Sequence, residues 1–225
     1  TLCEANAIRE NYIILPQFVF RDEVKNFEEL AKKHYKISRK GSDKSRIKVL
    51  SYMSHAKSPR LLSPRHIEHL LKIVSKYINK EIELVIVDPM RESNTFKLTE
   101  NLTVKYVKPL PREEFYKTIM DSALFIEPCI DEELRIAPIE AGLLGTPVAK
   151  LTHPKFRDRK DYPDDVVIHE YSFSKLSQKI VQYLKDEESY RSFYSKRFKD
   201  FIVKYRIWDA VKNPLVNYLK SLNKV

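Results

Sequence analysis

Two hydrophobic rhythms alternate along the chain. Short apolar runs at residues 47–53, 82–87, 102–107, 123–126, 147–151 and 166–168 predict strands. The run at 82–87 is nearly continuous, as expected of a parallel strand covered on both faces. Between these runs the apolar period lengthens to that of a helix. Val24, Phe27, Leu30 and Ala31 form one stripe, and Ile67, Leu70, Leu71, Val74 and Ile78 another. Ser63-Pro64 is a helix start, with Ser as N-cap and Pro in the first turn. Residues 111–121 and 138–144 predict further helices, and from Ser174 onward the chain predicts three more, at about 174–186, 188–204 and 209–223, the last kinked at Pro214. Strands alternating with helices predict an α/β fold: a parallel, Rossmann-like sheet with right-handed crossovers and a helical C-terminal extension. Ligands of such sheets sit beyond the carboxyl ends of the strands. That rule brings residues 54–65, 88–93 and 127–136 to one rim.

Composition narrows the function classes. The 225 residues are 43% hydrophobic and include 13 Tyr, 11 Phe and 1 Trp, too apolar and aromatic for a disordered chain. No stretch has the roughly 18–20 uncharged apolar residues that span a bilayer, and the first residues do not have the pattern of a signal peptide. Cys3 and Cys129 are two isolated cysteines and make neither a disulfide framework nor a zinc site. The expectation is a soluble, cytoplasmic protein. Charge is uneven: the net is +10 over the whole chain. Residues 32–72 hold twelve basic and two acidic side chains, so this window carries the entire excess. A localised basic field points to an anionic partner, whether phosphate, nucleic acid or an acidic membrane, or else to a solvated linker.

Only three glycines occur, at positions 41, 142 and 145, and no glycine-rich phosphate loop is present. The densest signal is Glu132-Glu-Leu-Arg-Ile-Ala-Pro-Ile-Glu140-Ala followed by Gly145-Thr-Pro-Val. A strand leads into a loop with carboxylates, then a short helix, then a turn into the next strand. Glu132 falls in the loop and Glu140 in the early turns of the helix. The helix start near Arg135, Ile136 and Ala137 offers free backbone N–H groups and a positive dipole end, which suit phosphate. Carboxylates beside it suit vicinal hydroxyls.

This constellation resembles the C-terminal, nucleotide-sugar-binding domain of retaining GT-B glycosyltransferases of the family-four type. Their pattern is Glu-Gly-Phe-Gly-(Leu/Ile)-x-Pro-x-Glu-Ala, then Gly-Thr-Pro-Val. Two motif glycines are replaced here by Glu133 and Arg135, and the usual Gly-Arg after the first strand by Ser54-His-Ala-Lys-Ser-Pro-Arg60. The resemblance implies a metal-independent glycosyltransferase that needs no cofactor beyond its nucleotide-diphosphate-sugar donor. Glu132 would address the donor sugar and Glu140 the ribose. Lys57, Arg60, His55, Arg135, Ile136 and Val107 would contact the rest of the donor. It also implies a division of the chain: residues 1–20 as a remnant of an N-terminal domain or its connection, 21–46 as a helix and basic linker, 47–205 as the donor-binding domain, and 206–225 as a crossover helix. An acceptor, sugar or lipid-linked, and an N-terminal domain or partner subunit would complete the machinery. An anionic membrane is a further expected contact of the basic field. Two alternatives stand beside this reading: a non-catalytic GT-B-like subunit, and a basic nucleic-acid-binding protein. No nucleic-acid motif supports the latter, and the main reading names no nucleic-acid partner. His66, His69, Asp164 and Asp165 are expected to be surface or turn residues rather than metal ligands. Most of the C-terminal aromatics are expected in the core.

Overall fold

A computed structural model describes residues 8–9, 12–13, 19–38, 46–53, 61–131, 134–155, 162–208, 210–212, 216 and 220. A small antiparallel ladder pairs β1 (Ile8–Arg9) with β2 (Tyr12–Ile13). Helix α1 (Arg21–Ser38) follows, then β3 (Arg46–Tyr52), α2 (Pro64–Ser75), β4 (Glu81–Val87), β5 (Asn94–Thr99) and β6 (Leu102–Val107). The second half runs α3 (Arg112–Met120), β7 (Leu124–Glu127), α4 (Ile136–Leu143), β8 (Val148–Leu151), β9 (Ile168–Glu170), α5 (Phe173–Lys185) and α6 (Glu187–Tyr205).

Seven strands form one sheet in the order β5-β6-β4-β3-β7-β8-β9. All neighbours are parallel except β5, which runs antiparallel to β6 at the edge. Starting from β3, the chain winds outward through β4 to β6, then returns to the other side of β3 and winds outward again through β7, β8 and β9. This is the doubly wound Rossmann order, and it reverses between β3 and β7. The crevice beyond the carboxyl ends of those two strands is where that topology places a ligand.

Each face of the sheet has its own core. On one face Val49, Leu84, Ile86, Val104 and Leu124 pack beneath α2 and α5, through Ile67, Leu70, Leu71, Leu176 and Ile180. On the other, Leu50, Val85, Phe125 and Val148 meet α1, α3, α4 and α6 through Phe27, Ile119, Ile139 and Phe198. Burial on both faces is the reason β4 and β7 carry near-continuous apolar runs, whereas β6, next to the edge strand, alternates. Helix α1 belongs to this second layer: Val24 and Phe27 are each 4% exposed, so residues 21–38 are a packed element of the fold. Val19 pairs with Ile207 in a parallel bridge, and its backbone exchanges hydrogen bonds with Arg206 and Trp208 at 2.9 Å each. The segments leading into α1 and out of α6 therefore meet. Of the predicted helix at 209–223, only residues 210–212, 216 and 220 lie among the described residues.

The structure departs from the sequence pattern in three places. Strand β5 has only two apolar residues, Phe96 and Leu98, alternating with Thr95 and Lys97; an edge strand covered on one face needs no more. The last strand begins at Ile168, two residues after the start of the apolar run, because Val166 and Val167 are buried in the preceding turn. Helix α4 starts at Ile136, before Pro138. Proline fits there because the first-turn N–H groups have no partner within the helix.

Candidate functional site

The crevice at the switch point is framed by the end of β3, the loop after β7 and the start of α4. After β3 the chain is described again from Leu61, which bridges to Cys129, while the Leu62 N–H donates to the Pro128 carbonyl at 2.7 Å. Leu61 and Leu62 thus lie beside the loop that follows β7. His55, Lys57, Arg60 and Glu132 lie outside the described residues.

That loop is pinned by charges beneath it. Glu127 and Lys150 are register partners across β7 and β8. Glu127 Oε1 accepts the Cys129 N–H at 3.0 Å, and Lys150 Nζ donates to the Cys129 carbonyl at 2.7 Å, so the two side chains grip the same residue from both ends. Lys150 Nζ also lies 3.4 Å from Asp131 Oδ1. Asp131 Oδ2 in turn accepts from Arg135 Nη2 at 3.0 Å and from Cys129 Sγ at 3.2 Å. Lys150 is fully buried, and Glu127 and Asp131 are nearly so. Burial would push the Asp131 carboxyl up, but the Lys150 charge with the hydrogen bonds from Cys129 and Arg135 outweighs it and holds the group below its ordinary range. Glu127 goes the other way: burial raises it, and neither Lys150 nor the Cys129 amide cancels that. Burial and the neighbouring Asp131 push the Cys129 thiol up to about 11. Burial opposes charge on Arg135, yet the Asp131 hydrogen bond leaves its guanidinium raised.

Arg135 is the N-cap residue of α4, and its carbonyl accepts the Ile139 N–H at 3.1 Å. Ile136, 41% exposed, opens the helix at the rim. One turn further, Glu140 leans toward the start of α3. Its Oε1 accepts the Tyr116 hydroxyl at 2.8 Å and lies 3.6 Å from Arg112 Nη2, while Arg112 Nε donates to the Tyr116 oxygen at 2.5 Å. Burial pushes the Glu140 carboxyl above its ordinary range, and Tyr116 and Arg112 pull against that without cancelling it. Burial, then the hydrogen bond to Glu140, pushes the Tyr116 hydroxyl up to about 12. Val107 ends β6 at the same rim, and its carbonyl accepts the Asp88 N–H at 2.9 Å. The fold therefore sets Arg135 and Ile136 after the carboxyl end of β7 and Val107 at the carboxyl end of β6, with β4 and β3 between those strands, while Glu140 lies one turn into α4 against α3.

Sequence reasoning missed Asp131, Lys150, Tyr116 and Arg112. A signal existed for the first two: Lys150 interrupts an apolar strand next to Val148 and Ala149, and Asp131 stands four residues before Arg135. Tyr116 and Arg112 look like ordinary helix residues until α3 is placed against α4.

The remaining features settle elsewhere. The Lys32 and Lys33 side chains sit on α1, in one layer, and Arg65 and Lys72 on α2, in the opposite layer, so these members of the basic window do not share a face. His66 Nδ1 accepts the Ser63 N–H at 3.1 Å and caps α2. Asp164 pairs with His169 at 3.1 Å and Asp165 with Arg197 at 3.6 Å. Tyr183, Phe198 and Phe201 are buried, whereas Tyr190, Phe193 and Tyr205 are exposed. An open cavity of about 510 Å³ lies at the far ends of α3 and α4, lined by Lys32, His34, Arg191 and Ser195 among others. Its Arg191 donates to the carbonyls of Gly145, Met120 and Ser122 at 3.0, 3.2 and 3.1 Å, and so closes helix ends there. Among the described residues no group of three or more His, Cys, Asp or Glu is placed to hold a metal ion, and no helix is long and apolar enough to cross a membrane.

No protein-family model and no curated protein matches the sequence. Solved structures do match. Sucrose-phosphate synthase from Thermosynechococcus elongatus superposes with a TM-score of 0.60 at 15% identity, over 93% of this chain and 52% of that one. WaaG, a glycosyltransferase involved in lipopolysaccharide biosynthesis, gives 0.56 at 15% identity, over 92% and 56%. The C-terminal domain of a glycosyl transferase group 1 family protein, LpcC, from Francisella tularensis gives 0.51 at 10% identity, over 79% and 93%. The chain thus spans about half the length of the first and second of these and most of the isolated domain. At such low identity the likeness is one of fold, and the chain has the α/β fold found in GT-B glycosyltransferases.

Proposed function

We propose that this chain is the donor-binding domain of a glycosyltransferase that takes a nucleotide-diphosphate sugar in the crevice between β3 and β7, without a metal and with retention at the anomeric carbon. The observation that supports the reading is the start of α4 at the switch point where the strand order reverses, with Arg135 as its N-cap and Glu140 one turn further along the helix. The task in such a transfer is to stabilise charge on the departing diphosphate. Arg135, the Ile136 and Ala137 N–H groups and the helix dipole supply positive potential there. The Glu140 carboxylate, set in one orientation by Tyr116 and Arg112, accepts from the two ribose hydroxyls. Glu132 addresses the sugar, Val107 lies toward the base, and His55, Lys57 and Arg60 add contacts to the diphosphate. The acceptor is held by a second domain or partner subunit.

Calorimetry tests this reading. A panel of UDP-, GDP- and ADP-sugars should contain a binder that stabilises the protein thermally. Glu140→Ala should weaken the matching nucleoside diphosphate about ten- to a hundred-fold, the loss of a charged acceptor for two hydroxyls, about 1.5–3 kcal/mol. Glu132→Ala should spare the nucleoside diphosphate and weaken the full sugar donor. Absence of any binder in the panel would overturn the proposal.

A further inference from the structure

The buried charges under the loop after β7 do more than hold it. Lys150 and Arg135 are two cations on opposite sides of one carboxylate, Asp131. Glu127, the other carboxyl in the group, is spent on the Cys129 amide. Lys150, fully buried and anchored on the Cys129 carbonyl, fixes Asp131 Oδ1. The other oxygen, Oδ2, fixes Arg135 Nη2. A rigid line therefore runs from the middle of the sheet to the N-cap of α4. It ends on a guanidinium whose Nε–H is buried and has no acceptor among the described residues. A donor in that position is costly unless something supplies an oxygen.

We propose that Lys150, acting through Asp131, is the positioning residue for Arg135, and that it sets the guanidinium to donate to an oxygen of the donor's diphosphate. The inference rests on the donor-binding reading above. It explains how this chain does without the glycines that are replaced here by Glu133 and Arg135. Where a bare backbone would approach the phosphates, a side chain held from behind takes the contact. A lysine in the core strand β8 has a purpose on this reading, because a mobile arginine at the rim would have to be ordered each time ligand bound.

Charge and position make opposite predictions for Asp131→Asn, and that variant is the test. If the cluster acted only by its net charge, removing a carboxylate beside the anion would tighten binding. If Asp131 aims Arg135, binding weakens. We expect the affinity for inorganic pyrophosphate and for the best nucleotide sugar of the panel to fall about ten-fold, the loss of one charge-assisted hydrogen bond. In the Arg135→Ala background, Asp131→Asn and Lys150→Met should each have little further effect, since both act through the arginine. Arg135→Lys, at a partly exposed position that leaves the core intact, should lose nearly as much as Arg135→Ala, because a point charge does not replace an aimed fork. The Arg135 Nε–H resonance should resist exchange in the wild type, move on addition of pyrophosphate, and lose its protection in Asp131→Asn. Unchanged or tighter binding by Asp131→Asn, or full affinity in Arg135→Lys, would overturn the positioning role while leaving the donor-binding reading in place. A wild-type protein that binds neither a nucleotide sugar nor pyrophosphate would overturn both.

Discussion

Gly142→Ala probes how α4 is seated, and with it where the start of α4 meets a ligand. Gly142 lies in the last turn of α4, and a Cβ placed there would run into three atoms of the Phe198 ring on α6. Phe198 is 1% exposed, in the core that α4 and α6 share, so the ring has no solvent to move into. Intrinsic helix propensity favours alanine over glycine by about 1 kcal/mol. Overpacking opposes it by roughly 1–3 kcal/mol, and simultaneous overlap with three ring atoms places this site at the upper end of that range. The expected result is a net destabilisation of about 1–2 kcal/mol, or a fall in Tm of roughly 3–6 °C for a chain of this size. Urea unfolding followed by far-UV circular dichroism measures the first and a thermal scan the second. Phe198→Leu in the same background should relieve part of the clash, so the two substitutions should couple favourably by at least about 0.5 kcal/mol. A Gly142→Ala protein as stable as the wild type, or strict additivity with Phe198→Leu, would refute the reasoning. Because Arg135 and Glu140 ride on the same helix, the variant should also bind nucleoside diphosphate more weakly.

Two other outcomes follow from one buried and one half-buried charge. Burial raises the Glu127 carboxyl, so the folded state holds its proton more tightly than the unfolded chain does. The cost is absent below the unfolded value of about 4.3 and grows as pH rises through the folded one. Glu127→Gln keeps an oxygen for the Cys129 amide and should therefore stabilise the protein near pH 8, with the gain fading toward pH 4; urea titrations across that range would show no gain at pH 8 if the argument is wrong. Arg191→Met removes the donor shared by the Gly145, Met120 and Ser122 carbonyls and the ion pair to Glu187 at 3.2 Å. It should cost about 1.5–3 kcal/mol in urea unfolding, and a loss below about 0.5 kcal/mol would show that water replaces the guanidinium without penalty.

Much of the fold was written locally. Strands β4 and β6 and helix α2 match their apolar patterns because their apolar positions are the buried ones, and burial is what hydrophobicity reports. The turn at Gly145 was legible in the same way: its φ of +86° is left-handed, and glycine before Thr146-Pro147 marks it. That residues 88–93 and 127–136 would follow the carboxyl ends of strands could be read from the sequence, because the rim of a parallel sheet is set by strand direction alone.

Only the tertiary structure decided how those residues are held. Strand β5 escaped notice since an edge strand needs few apolar residues, and its pairing with β6 is a contact between segments that no periodicity announces. The basic window at 32–72 is contiguous in sequence, yet its members on α1 and α2 belong to opposite layers, so for these proximity along the chain did not make a shared surface. Lys150 stood in the sequence as a polar residue in an apolar strand; its meaning appeared when the β7–β8 register set it beside Glu127 and the loop brought Asp131 over it. Tyr116 and Arg112 met Glu140 in the same way, through the packing of α3 on α4. Backbone direction and burial are properties of short segments, and sequence carries them. Which charged side chain faces which is fixed by the distances between elements that only the assembled layers bring together.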